Sequence, residues 1–180
     1  MPLEVLVRAF GQSSAEHYHR LSNGLDDRPV VSEGQAKSIG HEETFAHDVG
    51  DLQELRNVLL QQVEQVGQRL RKHQLRAKTV SLKIRYGDFT TISRSKSLPC
   101  ATDATQELWQ AASDLLEQWA RQNFRPLRLL GVTSSNLTGA CGGQLSLFDY
   151  AKAQKDRQLD RALDDIASRF GNGKVRRGRP

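Results

Sequence analysis

The 180-residue sequence has little of several features that would place it in a specialised class of protein. Its two cysteines, Cys100 and Cys141, are far apart and form no C-x-x-C pair, so we expect reduced thiols rather than a disulfide framework. No apolar run approaches the length of a membrane-spanning helix, and the N-terminus lacks a signal pattern. These absences argue against a membrane partner and against export, and they lead us to expect a cytoplasmic protein.

Apolar residues are also scarce, at 37% of the chain, which predicts one domain with extended or exposed appendages. The net charge is +5 and the isoelectric point is about 9.5, a balance that favours a polyanionic partner. The histidines are too scattered along the chain to predict a metal site. They are His17, His19, His41, His47 and His73.

The most informative stretch is a predicted β-hairpin at residues 78–98. Apolar and polar residues alternate strictly over residues 78–86, which predicts a strand with two different faces. The apolar face is Val80, Leu82, Ile84 and Tyr86, and the polar face is Thr79, Ser81, Lys83 and Arg85. Gly87-Asp88 predicts a two-residue turn with a positive φ at the glycine. The return strand, about residues 89–98, is rich in hydroxyls and cations, so this surface suits phosphate oxygens.

The return strand has one irregularity. Ile92 and Leu98 share their parity with Arg94 and Lys96, so apolar and cationic residues alternate on the same face. Either a β-bulge or an inward-lying cation stem would explain this pattern.

The other predicted elements surround this hairpin. Residues 37–49 read as an irregular first strand, and a helix follows with Asp51 as N-cap and Glu54 completing a capping box. After the hairpin, Asp103 is predicted to open a second helix, and residues 126–137 form the last strand. The order predicts an α+β fold, a ferredoxin-like βαββαβ unit with a four-stranded antiparallel sheet and two helices on one face.

Short segments flank this domain. Residues 1–29 are predicted to form two helices, the first ending at Gly11 and the second running from a cap at Ser13 or Ser14 to Gly24. Residues 30–36 read as a linker and residues 37–140 as the domain. Residues 151–180 are predicted to be a flexible tail with one short helix and a basic end.

Several of these segments, in this order, resemble the C-terminal part of Y-family DNA polymerases of the bacterial polymerase IV type. They are 6–11 and 24–29 (end of the thumb), 37–40, 43–45, 78–96 and 127–132 (little-finger domain), and 144–148 (sliding-clamp peptide). The resemblance implies a DNA-gripping fragment of a translesion polymerase, associated with the bacterial nucleoid and acting in DNA repair and replication.

The resemblance also implies phosphate-contacting residues on the little finger. These are Lys37, Ser38, Ile39, Gly40, Thr44, Lys78, Ser93, Arg94, Ser95, Arg128 and Thr133. The alternation argument adds Ser81, Lys83 and Arg85. Where the family often has a second cation after Arg128, this sequence has Leu129. We therefore predict that primer–template duplex is the partner and that no cation contacts phosphate at residue 129.

Catalysis by this family depends on carboxylates that hold two Mg²⁺ ions in a palm domain. The palm and finger motifs are not among these residues, and the acidic pairs 26–27, 42–43 and 164–165 read as linker or helix-surface charge. We therefore expect no catalytic residue, metal site or cofactor in this chain, whereas the parent polymerase would use Mg²⁺.

Segment 141–150 contains the predicted clamp-binding peptide. Its residues are Gln144, Leu145, Ser146, Leu147 and Phe148, of which Leu147 and Phe148 would fill an apolar pocket on the sliding clamp. A strand packing on its own domain is the alternative for this peptide. For the whole chain, the alternative is a stand-alone nucleic-acid-binding or clamp-interaction module. A single-stranded RNA reader is disfavoured because the polar face of the hairpin strand carries no aromatic residue for base stacking.

Overall fold

The computed structural model describes residues 2–30, 34, 36–139, 150–171 and 174–175, and these residues fall into two compact units, Met1–Gln35 and Ala36–Pro180. The first unit contains helices α1 (Leu3–Phe10) and α2 (Gln12–Ser22). Phe10 and Tyr18 pack edge to face with their ring centroids 5.6 Å apart. Two helices are therefore present, as predicted.

The predicted serine cap of α2 is wrong. Gly11, at φ 77°, ends α1 by donating its N–H to the Val7 carbonyl, and α2 begins at the next residue without a side-chain cap. Because this single glycine joins the two helices, Ser13 and Ser14 already lie inside the helix and cannot serve as its N-cap.

The second unit has the predicted βαββαβ order followed by one more helix. Its elements are β1 (Ser38–Val49), α3 (Leu52–Lys72), β2 (Leu75–Tyr86), β3 (Thr91–Thr102), α4 (Thr105–Asn123), β4 (Leu127–Gly139) and α5 (Tyr150–Phe170). The strands form one antiparallel sheet in the order β1-β4-β2-β3. The α+β fold class with a four-stranded antiparallel sheet is therefore confirmed, and each helical connection joins two parallel strands that are separated by one other strand.

The core lies between one face of the sheet and the helices α3 and α4. Leu55, Leu59 and Leu70 of α3 and Leu108, Leu116 and Trp119 of α4 are buried against the apolar face of β2, which was predicted from the alternation. The Trp119 indole N–H donates to the Tyr86 hydroxyl at 2.8 Å. Asp51 caps α3 as predicted, because its carboxylate accepts the Gln53 N–H at 2.8 Å.

The start of α4 differs from the prediction. The helix begins at Thr105 rather than at Asp103, and its first N–H donates to the Asp160 carboxylate of α5 at 3.0 Å. Asp160 is 1% exposed and also lies 3.3 Å from the Arg71 guanidinium. A carboxylate from a distant helix thus caps α4, so Asp103 is not needed as the cap.

The same contacts correct the predicted tail. The short helix predicted in a flexible tail is a 21-residue helix, α5, which docks on α3 and α4 through polar groups. Arg71 of α3 binds Asp164 through two nitrogens, at 2.6 and 2.9 Å. Leu159 and Phe170 of this helix are exposed. Asp164 is therefore part of a partly buried ion pair and not simply helix-surface charge.

The predicted two-residue turn of the hairpin is also wrong. Arg85 pairs with Thr91, and the Tyr86 N–H donates to the Thr90 carbonyl at 3.0 Å, which leaves a three-residue loop. The positive φ, 64°, belongs to Phe89 and not to Gly87. Gly87 instead lies beside the Asp48 carboxylate, which would have to move if a Cβ were added there. Hydrogen bonds from Thr90 to Asp88 close the loop and lower the pKa of that carboxyl.

The shared parity predicted in β3 does not come from a bulge, because Ile92, Arg94 and Lys96 pair without a shift with Ile84, Leu82 and Val80 on the helix-covered side. A bulge lies further along the strand. The pairing with β2 shifts between Thr79↔Ser97 and Ala77↔Thr102, so four residues of β3 lie opposite one residue of β2. Leu98, the residue after Ser97, packs against the core although β3 is an edge strand. None of the helices in the described ranges is long and apolar enough to cross a membrane.

Candidate nucleic-acid interface

The side of the sheet opposite α3 and α4 is not covered by any described helix of the second unit, and we call it the open face. Residues that pair directly across antiparallel strands point to the same side, so the register defines its members. They form four rows across β1, β4, β2 and β3, namely Ser38–Ser135–Thr79–Ser97, Gly40–Thr133–Ser81–Ser95, Glu42–Gly131–Lys83–Ser93 and Thr44–Leu129–Arg85–Thr91.

The open face consists mainly of hydroxyl groups. Ten of its sixteen positions are serine or threonine, two are glycine and none is aromatic. The hydroxyls come from all four strands, and the described ones are half-buried to exposed. Such a surface offers many small hydrogen-bond donors to phosphate oxygens and no platform on which a base could stack.

Two cations lie near the centre of the open face. Lys83 Nζ is 2.8 Å from the Glu42 carboxylate, although these residues are separated by β4. The ion pair forms over Gly131, whose missing side chain leaves the space between them, and a Cβ there would lie 2.6 Å from Glu42 Cβ. Arg85 is held in the next row by a bond from its Nε to the Thr91 hydroxyl at 2.9 Å. The face thus carries two cations and one carboxylate.

The structure brings together nine of the predicted site residues on the open face. They are Ser38, Gly40, Thr44, Ser81, Lys83, Arg85, Ser93, Ser95 and Thr133. Lys37 is exposed immediately before β1, and Lys78 is exposed where the β3 bulge begins. Leu129 lies on the same face but is 3% exposed between Thr44 and Arg85, so no cation is present at this point of the face.

Three predicted residues lie elsewhere. Ile39 is buried on the core side, so only its backbone can take part in binding. Arg94 pairs with the buried Leu82 and therefore has the parity of the helix-covered side, at the exposed edge of β3. Arg128 lies in a bulge of β4, where its guanidinium is 3.6 Å from the Asp48 carboxylate. Position parity separates Ile39 and Arg94 from the other candidates, and a bulge separates Arg128.

Lys96, like Arg94, pairs with a buried residue of β2 and so lies on the helix-covered side of the sheet. Its Nζ is 2.6 Å from the Asp114 carboxylate of α4. This hydrogen bond, with a second from Gln110, lowers the pKa of Asp114. Lys96 therefore joins the edge strand to α4 and does not contribute to the open face.

The candidate residues predicted from the sequence omit seven of the sixteen members of the open face, among them Glu42, Ser97 and Ser135. Glu42 was interpreted with Glu43 as linker or helix-surface charge, but both residues lie in β1, and only Glu42 faces the open side. Ser97 and Ser135 complete the outer row of hydroxyls. The alternation within β1 and β4 is the signal that could have identified Glu42 and Ser135, because each shares its parity with predicted neighbours.

The described residues do not fit a metal site. None of them forms a group of three or more potential ligands. One carboxylate of each acidic pair is bound by a cation, since Asp26 pairs with Arg28, Glu42 with Lys83 and Asp164 with Arg71. The hydrogen bonds from Arg28 lower the pKa of Asp26 to about 2.

Residues 36–147 match the profile of the impB/mucB/samB family C-terminal domain. The chain belongs to this family. Its relatives include the DNA polymerase IV of Desulfatibacillum aliphaticivorans, 40% identical over 174 residues, with 96% of this chain and 43% of the relative covered. The DNA polymerase IV of Moorella thermoacetica is 33% identical over 98% of this chain and 44% of its own length. The predicted recognition of the C-terminal part of a Y-family polymerase is thereby confirmed.

A solved structure agrees with this membership at the level of the fold. The Y-family DNA polymerase chimera Dbh-Dpo4(243-245)-Dbh superposes with a TM-score of 0.52 and 20% identity, covering 75% of this chain and 38% of that chain. The chain spans about two-fifths of the length of the curated relatives given above. The impB/mucB/samB C-terminal domain found here is thus a little-finger-like domain. The predicted clamp peptide, residues 144–148, lies outside the described residues.

Proposed function

We propose that the open face grips primer–template duplex through its backbone phosphates, and that the chain is the DNA-binding part of a translesion DNA polymerase. The observation that supports this proposal is the arrangement of the predicted residues. Nine positions that were chosen from a family resemblance and from one strand's alternation lie on a single face built from four strands.

The chemistry of the open face suits backbone contact rather than base reading. Serine and threonine hydroxyls and the central cations Lys83 and Arg85 can bind phosphate oxygens of any sequence. A protein that neutralises phosphates releases counterions, and its affinity falls with salt by a slope of about −0.9 for each contact. Binding should therefore depend strongly on salt and weakly on sequence.

The test is fluorescence anisotropy with a labelled primer–template duplex across a salt series. We expect the double variant Lys83→Ala/Arg85→Ala to lose about tenfold in affinity and to flatten the salt slope by about two contacts. The matched control is Lys96→Ala/Arg121→Ala, which removes the same charge from the helix-covered strand edge and from α4. Equal losses in the two double variants would show a nonspecific charge effect and would contradict the assignment to the open face.

Arg94 decides how far the DNA path extends over the edge of β3. Its parity points away from the open face, yet the residue is exposed at the edge. If the duplex passes over this edge, Arg94→Ala should weaken binding in addition to the double variant. If it does not, the triple variant should bind like the double variant, and the grip is confined to the open face.

The second part of the proposal is a tether to the sliding clamp through Gln144–Phe148. Leu147 and Phe148 are the residues predicted to fill the clamp pocket, and the peptide lies between β4 and α5 in the sequence. Isothermal titration of the chain with the clamp should show modest affinity that is lost in Leu147→Ala/Phe148→Ala. DNA binding by the same variant should be unchanged, and a clamp affinity that survives the substitutions would overturn the tether.

Polymerase activity is proposed for the whole protein and not for this chain. In a primer-extension assay with Mg²⁺ and deoxynucleotides, we expect the chain to leave the primer unextended because the described residues hold no metal-binding carboxylate cluster. Extension by the purified chain would contradict this assignment.

A further inference from the structure

A second cationic surface lies on the side of the domain away from the open face. It is a cleft of about 980 Å³ between the C-terminal half of α3, the start of β2 and α5. Six cations line it, against three carboxylates. The cations are Arg69, Arg71, Lys72, Arg76, Arg157 and Arg161. We call it the α3–α5 cleft.

Two of these cations hold the fold together. Arg71 is 13% exposed and binds Asp160 and Asp164, so its charge is used to dock α5. Arg76 lies 3.8 Å from the Asp103 carboxylate. These pairs account for two of the three carboxylates that line the cleft and leave Asp165 as the third.

The other four cations form no ion pair with any described residue. Lys72 and Arg161 are exposed and Arg157 is half-exposed, while Arg69 donates only to the backbone carbonyl of Gly40, at 3.0 Å. Charged groups brought together without counter-ions repel one another, and an anionic ligand would relieve this repulsion. The α3–α5 cleft therefore has the electrostatics of an anion-binding surface.

The hydrogen bond from Arg69 connects the cleft to the open face. Gly40 pairs with Thr133 and stands in the second row of that face. Arg69, which lines the cleft, therefore also contacts the β1 edge of the sheet beside the open face. Apart from aliphatic stems, the cleft is lined by polar residues and Ala167, with no aromatic ring, so a sugar–phosphate backbone fits better than a base or an apolar peptide.

We infer that the α3–α5 cleft binds the phosphate backbone of DNA that extends beyond the segment held on the open face. This inference rests on the proposed function, since it lengthens the same DNA footprint. Four strands about 4.8 Å apart give the open face a width of about 15–20 Å, which corresponds to about five or six base pairs at about 3.4 Å each. Only a longer duplex can reach the cleft.

The test uses the full chain with two duplexes, one of about 8 and one of about 24 base pairs, in the same salt series. We expect Arg157→Ala/Arg161→Ala to weaken binding of the long duplex at least fivefold, to flatten its salt slope by about two contacts and to leave the short duplex unchanged. The control is Lys155→Ala/Arg169→Ala, which removes the same charge from exposed positions of α5 that do not line the cleft.

Docking of α5 does not depend on the substituted arginines, because Asp160 and Asp164 make its contacts with α3 and α4. An unchanged thermal midpoint would verify that each variant is folded. Equal effects on both duplexes, or equal effects of the variant and its control, would overturn the inference. Pyrophosphate binding that requires Arg157 and Arg161, without any effect on DNA, would overturn it in favour of a small phosphate ligand.

The same experiment distinguishes failure of the proposed function from failure of this inference. If Lys83→Ala/Arg85→Ala binds both duplexes like wild type, the open face is not the grip. If that variant is weakened on both duplexes and the cleft variant on neither, the open face is supported and the cleft is not.

Discussion

Alternate residues of β2 lie on opposite sides of the sheet, one side covered by helices and the other open. Leu82 and Ile84 are each 1% exposed beneath α3 and α4, whereas Ser81 and Lys83, their neighbours in sequence, remain half-exposed on the open face. The covered face is aliphatic and closely packed, and the open face is made of hydroxyls with few charges. Stability and ligand binding are therefore expected to depend on different sets of residues in the same strand.

The strongest test of this difference is Leu82→Ala. Removing a fully buried leucine side chain should lower the free energy of unfolding by about 3 kcal/mol, because the helices cannot fill the cavity. DNA affinity of the folded protein should stay within about twofold of wild type. Urea unfolding and anisotropy below the transition measure the two quantities.

Ser81→Ala is the matched substitution on the other face of the same strand. It should change stability by less than about 0.5 kcal/mol. A destabilisation as large as that of Leu82→Ala would mean that the open face is itself packed against something.

The second prediction concerns α5, which belongs to the covered side yet is held by polar contacts. Asp160→Ala removes the cap of α4 and one partner of Arg71, and it should destabilise the docked helix by about 2 kcal/mol. Amide exchange should then accelerate across residues 154–171 and at Thr105, while β2 and β4 remain protected. Asp165→Ala, on the exposed side of the same helix, is the control, and equal acceleration in both variants would contradict the role of the cap.

Local sequence patterns predicted which faces of the elements are buried, whereas contacts between residues far apart in the sequence could not be predicted. The alternation of β2 and the apolar periods of α3 and α4 predicted the covered face because burial on one side leaves a periodic trace. The order β1-β4-β2-β3 leaves no such trace, since other antiparallel orders bury the same residues. The cap of α4 joins Asp160 to Thr105, which are 55 positions apart, so no local signal could indicate it.

The candidate site shows the same division. Parity within β2 identified Ser81, Lys83 and Arg85, and the family resemblance supplied positions on the other strands. The orientation of Arg94 depended on the pairing register, which is set by the three-residue loop rather than by the predicted two-residue turn. The ion pair of Lys83 with Glu42 depended on β1 and β2 lying on either side of β4.

That ion pair gives the third prediction, an increase in DNA affinity. Glu42→Gln removes the one carboxylate of the open face and frees Lys83 for phosphate. Affinity at about 0.1 M salt should rise about three- to fivefold, and the salt slope should steepen by about 0.9. Glu43→Gln changes the net charge equally but lies on the other parity of β1, so it should have a much smaller effect. Equal gains in the two variants would mean that only net charge matters.

The smallest expected effect is at the tip of the hairpin, where the two faces meet. Phe89 has a φ of 64° and is 71% exposed, so its side chain contributes strain and little packing. A left-handed conformation costs a non-glycine residue about 1–2 kcal/mol, and the greater backbone freedom of glycine in the unfolded chain offsets about half of that gain. Phe89→Gly should therefore be more stable than Phe89→Ala by about 0.5–1 kcal/mol in urea unfolding. Both variants remove the ring, so a glycine variant that is no more stable would mean that the loop relaxes out of this conformation. If both variants lose DNA affinity equally, the ring itself contacts the duplex, and the strain at this tip holds an apolar group at the end of the open face.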